Sequence, residues 1–244
     1  METKDKCNIL YGKKLVVCGD SFTQGDFTGF VDENGLAGTD SPVIFDQKRQ
    51  VYKTYPWWIA ERNDMELVNE ALCGSTIALS KGHLEDPENV DISYRHPFAL
   101  ERYKKVPLDA DYILLQFGLN DANNTNLGSI DDETIETFYG AFNVVMEYFL
   151  TNIPFAKIGT VVSNSGLKAE YRQAIIDVSR KWGIPYLDLH SDDSMQATLK
   201  KGGMCEKAVE LRNKAYFVSE KNHHPNLKAH ELMSTVYEAF LRRI

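Results

Sequence analysis

Residues 111–117 read DYILLQF, an apolar run with almost no polar alternation. A strand wet on one face alternates apolar and polar side chains, so a run of this kind is covered on both faces. Further short apolar runs lie at 15–18, 66–69, 157–162 and 184–189. Helix-like stretches separate them. Residues 56–62 open with Pro56, which suits a first helical turn. Residues 132–150 space Phe138, Phe142, Val145 and Phe149 along one helix face, and 168–182 and 226–243 have similar spacing. Strands alternating with helices predict an α/β chain with a central parallel sheet and helices on both faces. No internal repeat, low-complexity tract or break in composition divides the chain, so residues 1–244 are expected to form a single domain.

Composition bounds the function classes. The chain is 43% hydrophobic, enough to fill a substantial core, and carries a net charge of −8. No basic stripe is present, which excludes nucleic acid as an expected partner. The opening METKDKCNILYGKK has no sustained apolar segment, so no secretory signal is expected. No apolar run approaches the ~18 residues of a membrane-spanning helix. A cytoplasmic protein without stable membrane association follows as the expectation. Cys7, Cys18, Cys73 and Cys205 form no CxxC pair and are expected to be reduced thiols.

Two segments break the rhythm. Residues 26–55 are rich in Gly, Asp and Pro, and residues 81–97 carry His83, Pro87, His96 and Pro97. Long irregular segments in a compact domain are often functional loops, and both are expected to wall a cleft. Phe22, Phe27, Phe30 and Tyr55 read first as core. Of Trp57 and Trp58, one is expected in the core and the other at the cleft. His83 and His96 read as surface loop residues.

Ligands of open parallel sheets collect at the carboxyl ends of the strands. The first strand is followed by Gly19-Asp20-Ser21, the second by NEALCGST with Gly74, and the third by FGLND with Asn120 and Asp121. Near the C-terminus comes NHHPN, with His223 and His224. Taken alone, Ser21 reads as a helix N-cap. Asp121 reads as a turn or cap residue, and Asp188 as a cap at a strand end. Together the segments hold the parts of an acyl-transfer site. A serine hydroxyl needs a base within hydrogen-bond reach, and histidine titrates in the right range. The oxyanion formed on attack needs preset donors. A glycine N–H and an asparagine amide can both serve. The histidines near the C-terminus lack the spacing of a zinc motif such as HExxH, so no metal or organic cofactor is expected.

These four blocks, GDS, NEALCGST, GLND and HHPN, resemble in order those of the SGNH hydrolase superfamily, the GDSL esterases and lipases. They span residues 19–226. The resemblance implies a flavodoxin-like three-layer α/β/α sandwich and a serine ester hydrolase. It assigns Ser21 as nucleophile, His224 as base, and Ser21 N–H, Gly74 N–H and the Asn120 side chain as oxyanion donors. The HPNLKAH run is similar to the family's HPNxxGH, with Ala229 for glycine. No GxSxG motif is present to suggest a nucleophile-elbow hydrolase.

One position departs. The family usually places Asp three residues before the histidine, and Lys221 stands there. Glu220 could reach His224 through a one-residue bulge. It could instead pair with His223 at the usual spacing and make His223 the base. Or a backbone carbonyl could orient the imidazole. Pro225 and Asn226 after His224 favour His224, with Glu220 as the acid. Family substrates include O-acetylated sugars, lysophospholipids, short esters and thioesters. The polar segment after Ser21 points to a small-molecule ester, with short acyl (acetyl) groups on a carbohydrate preferred. A non-catalytic carbohydrate-binding relative is the rival from another class.

Overall fold

The computed structural model describes residues 7–25, 45–91, 94–163, 166–191, 203–219 and 222–244. Its elements run β1 (Lys14–Gly19), α1 (Ser21–Gln24), β2 (Phe45–Asp46), β3 (Val51–Tyr52), α2 (Tyr55–Asn63), β4 (Glu66–Asn69) and α3 (Lys81–Glu85). Then follow β5 (Tyr112–Gln116), α4 (Asp121–Asn124), α5 (Phe138–Asn152), β6 (Lys157–Val162), α6 (Ala169–Lys181), β7 (Tyr186–Asp188), α7 (Glu206–Tyr216) and α8 (Leu227–Leu241).

The central sheet has five strands in the order β4-β1-β5-β6-β7, all parallel. Val16 pairs with Ile113 on one side and Val68 on the other. Counted along the sheet's own strands the order is 2-1-3-4-5, the flavodoxin-like winding. The strand order reverses between β1 and β5, and that switch point opens a crevice at their carboxyl ends. β2 and β3 form a separate antiparallel pair.

Strand side chains alternate between two cores, which makes the fold three-layered. Val16, Cys18, Ile113, Leu115, Ile158 and Val162 pack with Phe142, Val145 and Phe149 of α5 and Ile175 and Val178 of α6. Leu15, Val17, Leu114 and Val161 face the other way, onto Ile59 of α2 and Met233 and Tyr237 of α8. All five residues of β5 are buried, which explains why DYILLQF lacks alternation.

Several expectations need correcting. The helix expected over 132–150 begins at Phe138, because Thr137 caps it by accepting from Gly140 N at 3.2 Å. Asp132 is spent earlier, accepting from Ser129 N and Thr137 Oγ1. His83 is buried rather than a surface residue. It sits in α3, its Nδ1 2.8 Å from Ser80 Oγ and its Nε2 3.1 Å from the Asp91 carbonyl. α7 was not anticipated. Phe22, Tyr55 and Trp57 are buried, while Phe27 and Phe30 lie outside the described residues. Most of the 26–55 segment, 26–44, also lies outside them.

Candidate active site

Gly19 ends β1 where the backbone passes close to β5. A Cβ there would lie 2.8 Å from the Gln116 carbonyl oxygen and 2.7 Å from Thr23 Oγ1, so a larger residue would push the strand end away. Asp20 caps α1, accepting from Phe22 N at 2.9 Å. Ser21 is the first residue of that short helix and is 8% exposed. The sequence posed cap and nucleophile as alternatives for Ser21. Here Asp20 takes the cap, which leaves the serine hydroxyl for other use. Burial pushes the Asp20 carboxyl up to about 7, against the pull of the Phe22 N–H.

The hydroxyl meets His224. Ser21 Oγ lies 2.7 Å from His224 Nε2 across 203 residues of chain. His223 instead stacks on Phe217, ring centroids 5.1 Å apart. Of the two adjacent histidines, the structure therefore brings His224 to the serine. Phe22 packs against the His224 ring at 5.3 Å.

Asn222 sets the tautomer of that ring. Its Oδ1 accepts from His224 N at 3.1 Å, so the amide oxygen faces the histidine. The same oxygen lies 2.6 Å from His224 Nδ1. An oxygen acceptor at Nδ1 requires the proton there, which turns the Nε2 lone pair toward Ser21. Glu220 and Lys221 lie outside the described residues. The Asn222 contact was not anticipated. Its only trace in the sequence is an Asn two residues before the histidine, a spacing that allows an Asx turn.

The expected oxyanion donors lie on the two neighbouring loops. Gly74 occupies φ +76, a left-handed conformation open to glycine at little cost, in a turn closed by Ser75 N to Leu72 O at 3.1 Å. Leu72 N donates to Gly19 O at 3.1 Å, which ties this turn to the end of β1. Neither the Ser21 nor the Gly74 amide makes a backbone hydrogen bond among the described residues. Asn120 Nδ2 donates to Ser75 O at 3.0 Å, next to Gly74, and its second amide hydrogen is a further donor.

Two further residues, not anticipated in these roles, hold the loops. Asp121, fully buried, accepts from Ile77 N at 2.9 Å, Ala78 N at 3.3 Å and Gly118 N at 3.2 Å. It fastens the loop after β4 to the loop after β5. Burial raises its pKa to about 7, against the backbone donors. Arg102 reaches the Glu70 carbonyl, Ser75 Oγ and the His96 carbonyl. It thereby joins the 70–76 loop to the 81–97 segment that the sequence suggested as a wall of the cleft. His230, six residues past His224, is buried and held neutral, its pKa lowered to about 3 chiefly by burial. Asp188 accepts from His190 N at 3.0 Å, a turn-capping role. Among the described residues no group of three or more His, Cys, Asp or Glu is placed to hold a metal ion. Nor is any helix there long and apolar enough to cross a membrane.

The doubly wound parallel sheet thus sets a serine against a histidine at its switch point, beside a left-handed glycine and an asparagine amide, where α/β proteins of this winding hold their ligands. The sequence profile of the GDSL-like Lipase/Acylhydrolase family matches residues 17–232, and the chain belongs to that family, a hydrolase of ester bonds. Solved structures share its fold. A protein from Lactobacillus plantarum is 24% identical, with 96% of this chain and 98% of that chain covered and a TM-score of 0.64. A protein from Bacteroides uniformis described as a GDSL-like lipase is 20% identical, with 96% and 97% covered and a TM-score of 0.62. An active-site mutant of a family two carbohydrate esterase from Clostridium thermocellum is 14% identical, with 95% and 63% covered and a TM-score of 0.55. No curated protein matches the chain.

Proposed function

We propose that Ser21 is the nucleophile of this hydrolase and His224 its general base. The observation that carries the reading is the 2.7 Å contact between Ser21 Oγ and His224 Nε2. Ser21 Oγ bonds to the ester carbonyl carbon while its proton passes to Nε2. The carbonyl oxygen takes the displaced electron pair and is met by Ser21 N–H, Gly74 N–H and the Asn120 amide. Collapse of this intermediate breaks the C–O bond to the alcohol, which leaves with the proton from Nε2. Water, deprotonated by the same nitrogen, then releases the acid from Ser21.

The imidazole carries a positive charge between these transfers. Asn222 Oδ1 at Nδ1 orients the ring but brings no negative charge. Glu220 remains the proposed acid, and comparison of Glu220→Ala with Asn222→Ala separates the two roles.

For substrate, the reading is a short acyl ester, acetyl on a carbohydrate. The polar stretch that follows Ser21 supports it, as does a fold shared with a carbohydrate esterase. The test is hydrolysis of 4-nitrophenyl acetate, butyrate and octanoate by wild type and Ser21→Ala, together with labelling by a fluorophosphonate. The expected result is turnover that falls with chain length, and label on Ser21. A wild type as silent as Ser21→Ala and unlabelled would remove the mechanism.

A further inference from the structure

Arg95 is a strongly basic side chain beside Gly74 that has no carboxylate counterpart among the described residues. Its Nη1 lies 3.9 Å from where a Cβ on Gly74 would stand, so one end of the guanidinium is within van der Waals reach of that glycine. Its Nε is buried and makes no hydrogen bond, and no carboxylate among the described residues pairs with it. Its one recorded side-chain contact is with the Tyr94 ring, 5.2 Å from Cζ to centroid. The contrast with Arg102 is close at hand, since that guanidinium is consumed by two carbonyls and a hydroxyl.

The backbone holds Arg95 in this place at a cost. Arg95 and His96 both have left-handed φ, +62 and +40, which non-glycine residues seldom adopt. Consecutive strain of this kind persists only where the surroundings over-determine it. Here they do, because the Arg95 carbonyl accepts from Thr76 N at 3.0 Å and the His96 carbonyl accepts from Ser75 Oγ at 2.9 Å. The strained pair is thus bonded to the two residues that follow Gly74. A fixed guanidinium with unfilled donors is a receptor for a planar anion.

We infer that Arg95 is a specificity residue for esters that carry a carboxylate close to the scissile carbonyl. This rests on the ester hydrolysis proposed above. A carbonyl oxygen seated at the Gly74 N–H leaves the adjoining substituent beside Arg95, and a carboxylate there pairs with the Nη end of the guanidinium, the end turned toward Gly74. A neutral substituent offers the guanidinium no charge to pair with.

The test pairs charged with neutral esters on each side of the bond. 4-Nitrophenyl hydrogen glutarate is set against 4-nitrophenyl pentanoate, and 2-acetoxybenzoate against phenyl acetate. With Arg95→Gln, kcat/KM for a charged member is expected to fall about ten- to a hundredfold, the range of a hydrogen bond to a charged group. Its neutral mate should stay within about threefold, and Arg95→Lys should restore part of the charge preference. Charge-to-neutral ratios unchanged by Arg95→Gln in both pairs, or a parallel fall of both members, would overturn the proposal. Calorimetry with glutarate and with benzoate gives a readout free of turnover. Binding to wild type that is lost in Arg95→Gln supports the receptor even if Ser21 proves unreactive, whereas no binding, or equal binding to both proteins, counts against it.

Discussion

The serine and the histidine of the site are held by different means. Ser21 follows a fully paired strand, β1, which is hydrogen-bonded to β4 on one side and β5 on the other. Its approach is set by Gly19 against the Gln116 carbonyl and by the Asp20 cap. His224 stands on a loop between α7 and α8. α7 buries no residue. The loop is kept by its own hydrogen bonds: Val218 N to His224 O at 2.9 Å, Asn226 N to Tyr216 O at 2.8 Å, and Asn226 Nδ2 to the carbonyls of Ala215 and Phe217. The place of Ser21 therefore belongs to the core of the fold. The place of His224 belongs to a local knot of hydrogen bonds.

The largest expected effect removes the core-held partner. Ser21→Ala should lower kcat on the order of 10⁶-fold, as loss of a serine nucleophile does when serine and histidine act as a unit. Thermal stability should scarcely move, because Asp20 rather than Ser21 caps α1. Kinetics beside a melting curve reads both. A variant that kept activity, or lost it only by unfolding, would break the contrast at its rigid end. Next in size is Asn120→Ala, with an expected loss of about 10²–10³ in kcat if its amide serves the oxyanion. Because Asn120 also bonds the Ser75 carbonyl, the sharper reading is a fall in kcat with little change in KM.

How much of this was legible follows the same division. β5 could be read from DYILLQF because both of its faces are covered, and the ends of β1, β4 and β5 singled out the segments of Ser21, Gly74 and Asn120, whose roles came from the chemistry of acyl transfer and the family resemblance. α5 had the right period but the wrong start, since nothing in the spacing of its phenylalanines shows that Asp132 and Thr137 bond each other ahead of the helix. α7 carries no apolar stripe to read, because it packs no stripe into the core. On the histidine side, Asn222 went unnoticed for a related reason. An Asx contact two residues long depends on local backbone angles, which leave no periodic mark.

The third effect is a matter of pH. Asp20 and Asp121, both buried beneath the site, have pKa values raised to about 7. In the unfolded chain each would titrate near about 4. Between those limits each carboxyl holds more proton in the folded protein than in the unfolded one, so its contribution to stability falls as pH rises from about 4 to about 7, while buried His230 contributes in the opposite sense up to about 6.5. Asp20→Asn keeps the cap, since asparagine is as good an N-cap as aspartate, and removes one of the two titrations. The variant should lose about 1–3 kcal/mol of that pH dependence and be no less stable than wild type at pH 8. Urea melts at pH 5 and pH 8 decide it. An Asp20→Asn variant with the same pH dependence as wild type would mean that the Phe22 donor outweighs burial at Asp20.

The smallest effect probes the loosely held end. Leu211, on α7, is 55% exposed. Surface substitutions away from packed features usually stay within about 0.5 kcal/mol. Leu211→Ser should therefore leave stability almost unchanged, and kcat with it, because the loop that presents His224 is bonded to Ala215 and Tyr216 in the last turn of α7 and to Phe217 beyond it, a turn away from Leu211. A loss near 2 kcal/mol would show that α7 is covered in solution. The histidine would then be held by tertiary packing after all, and the two ends of the site would differ less than their contacts here imply.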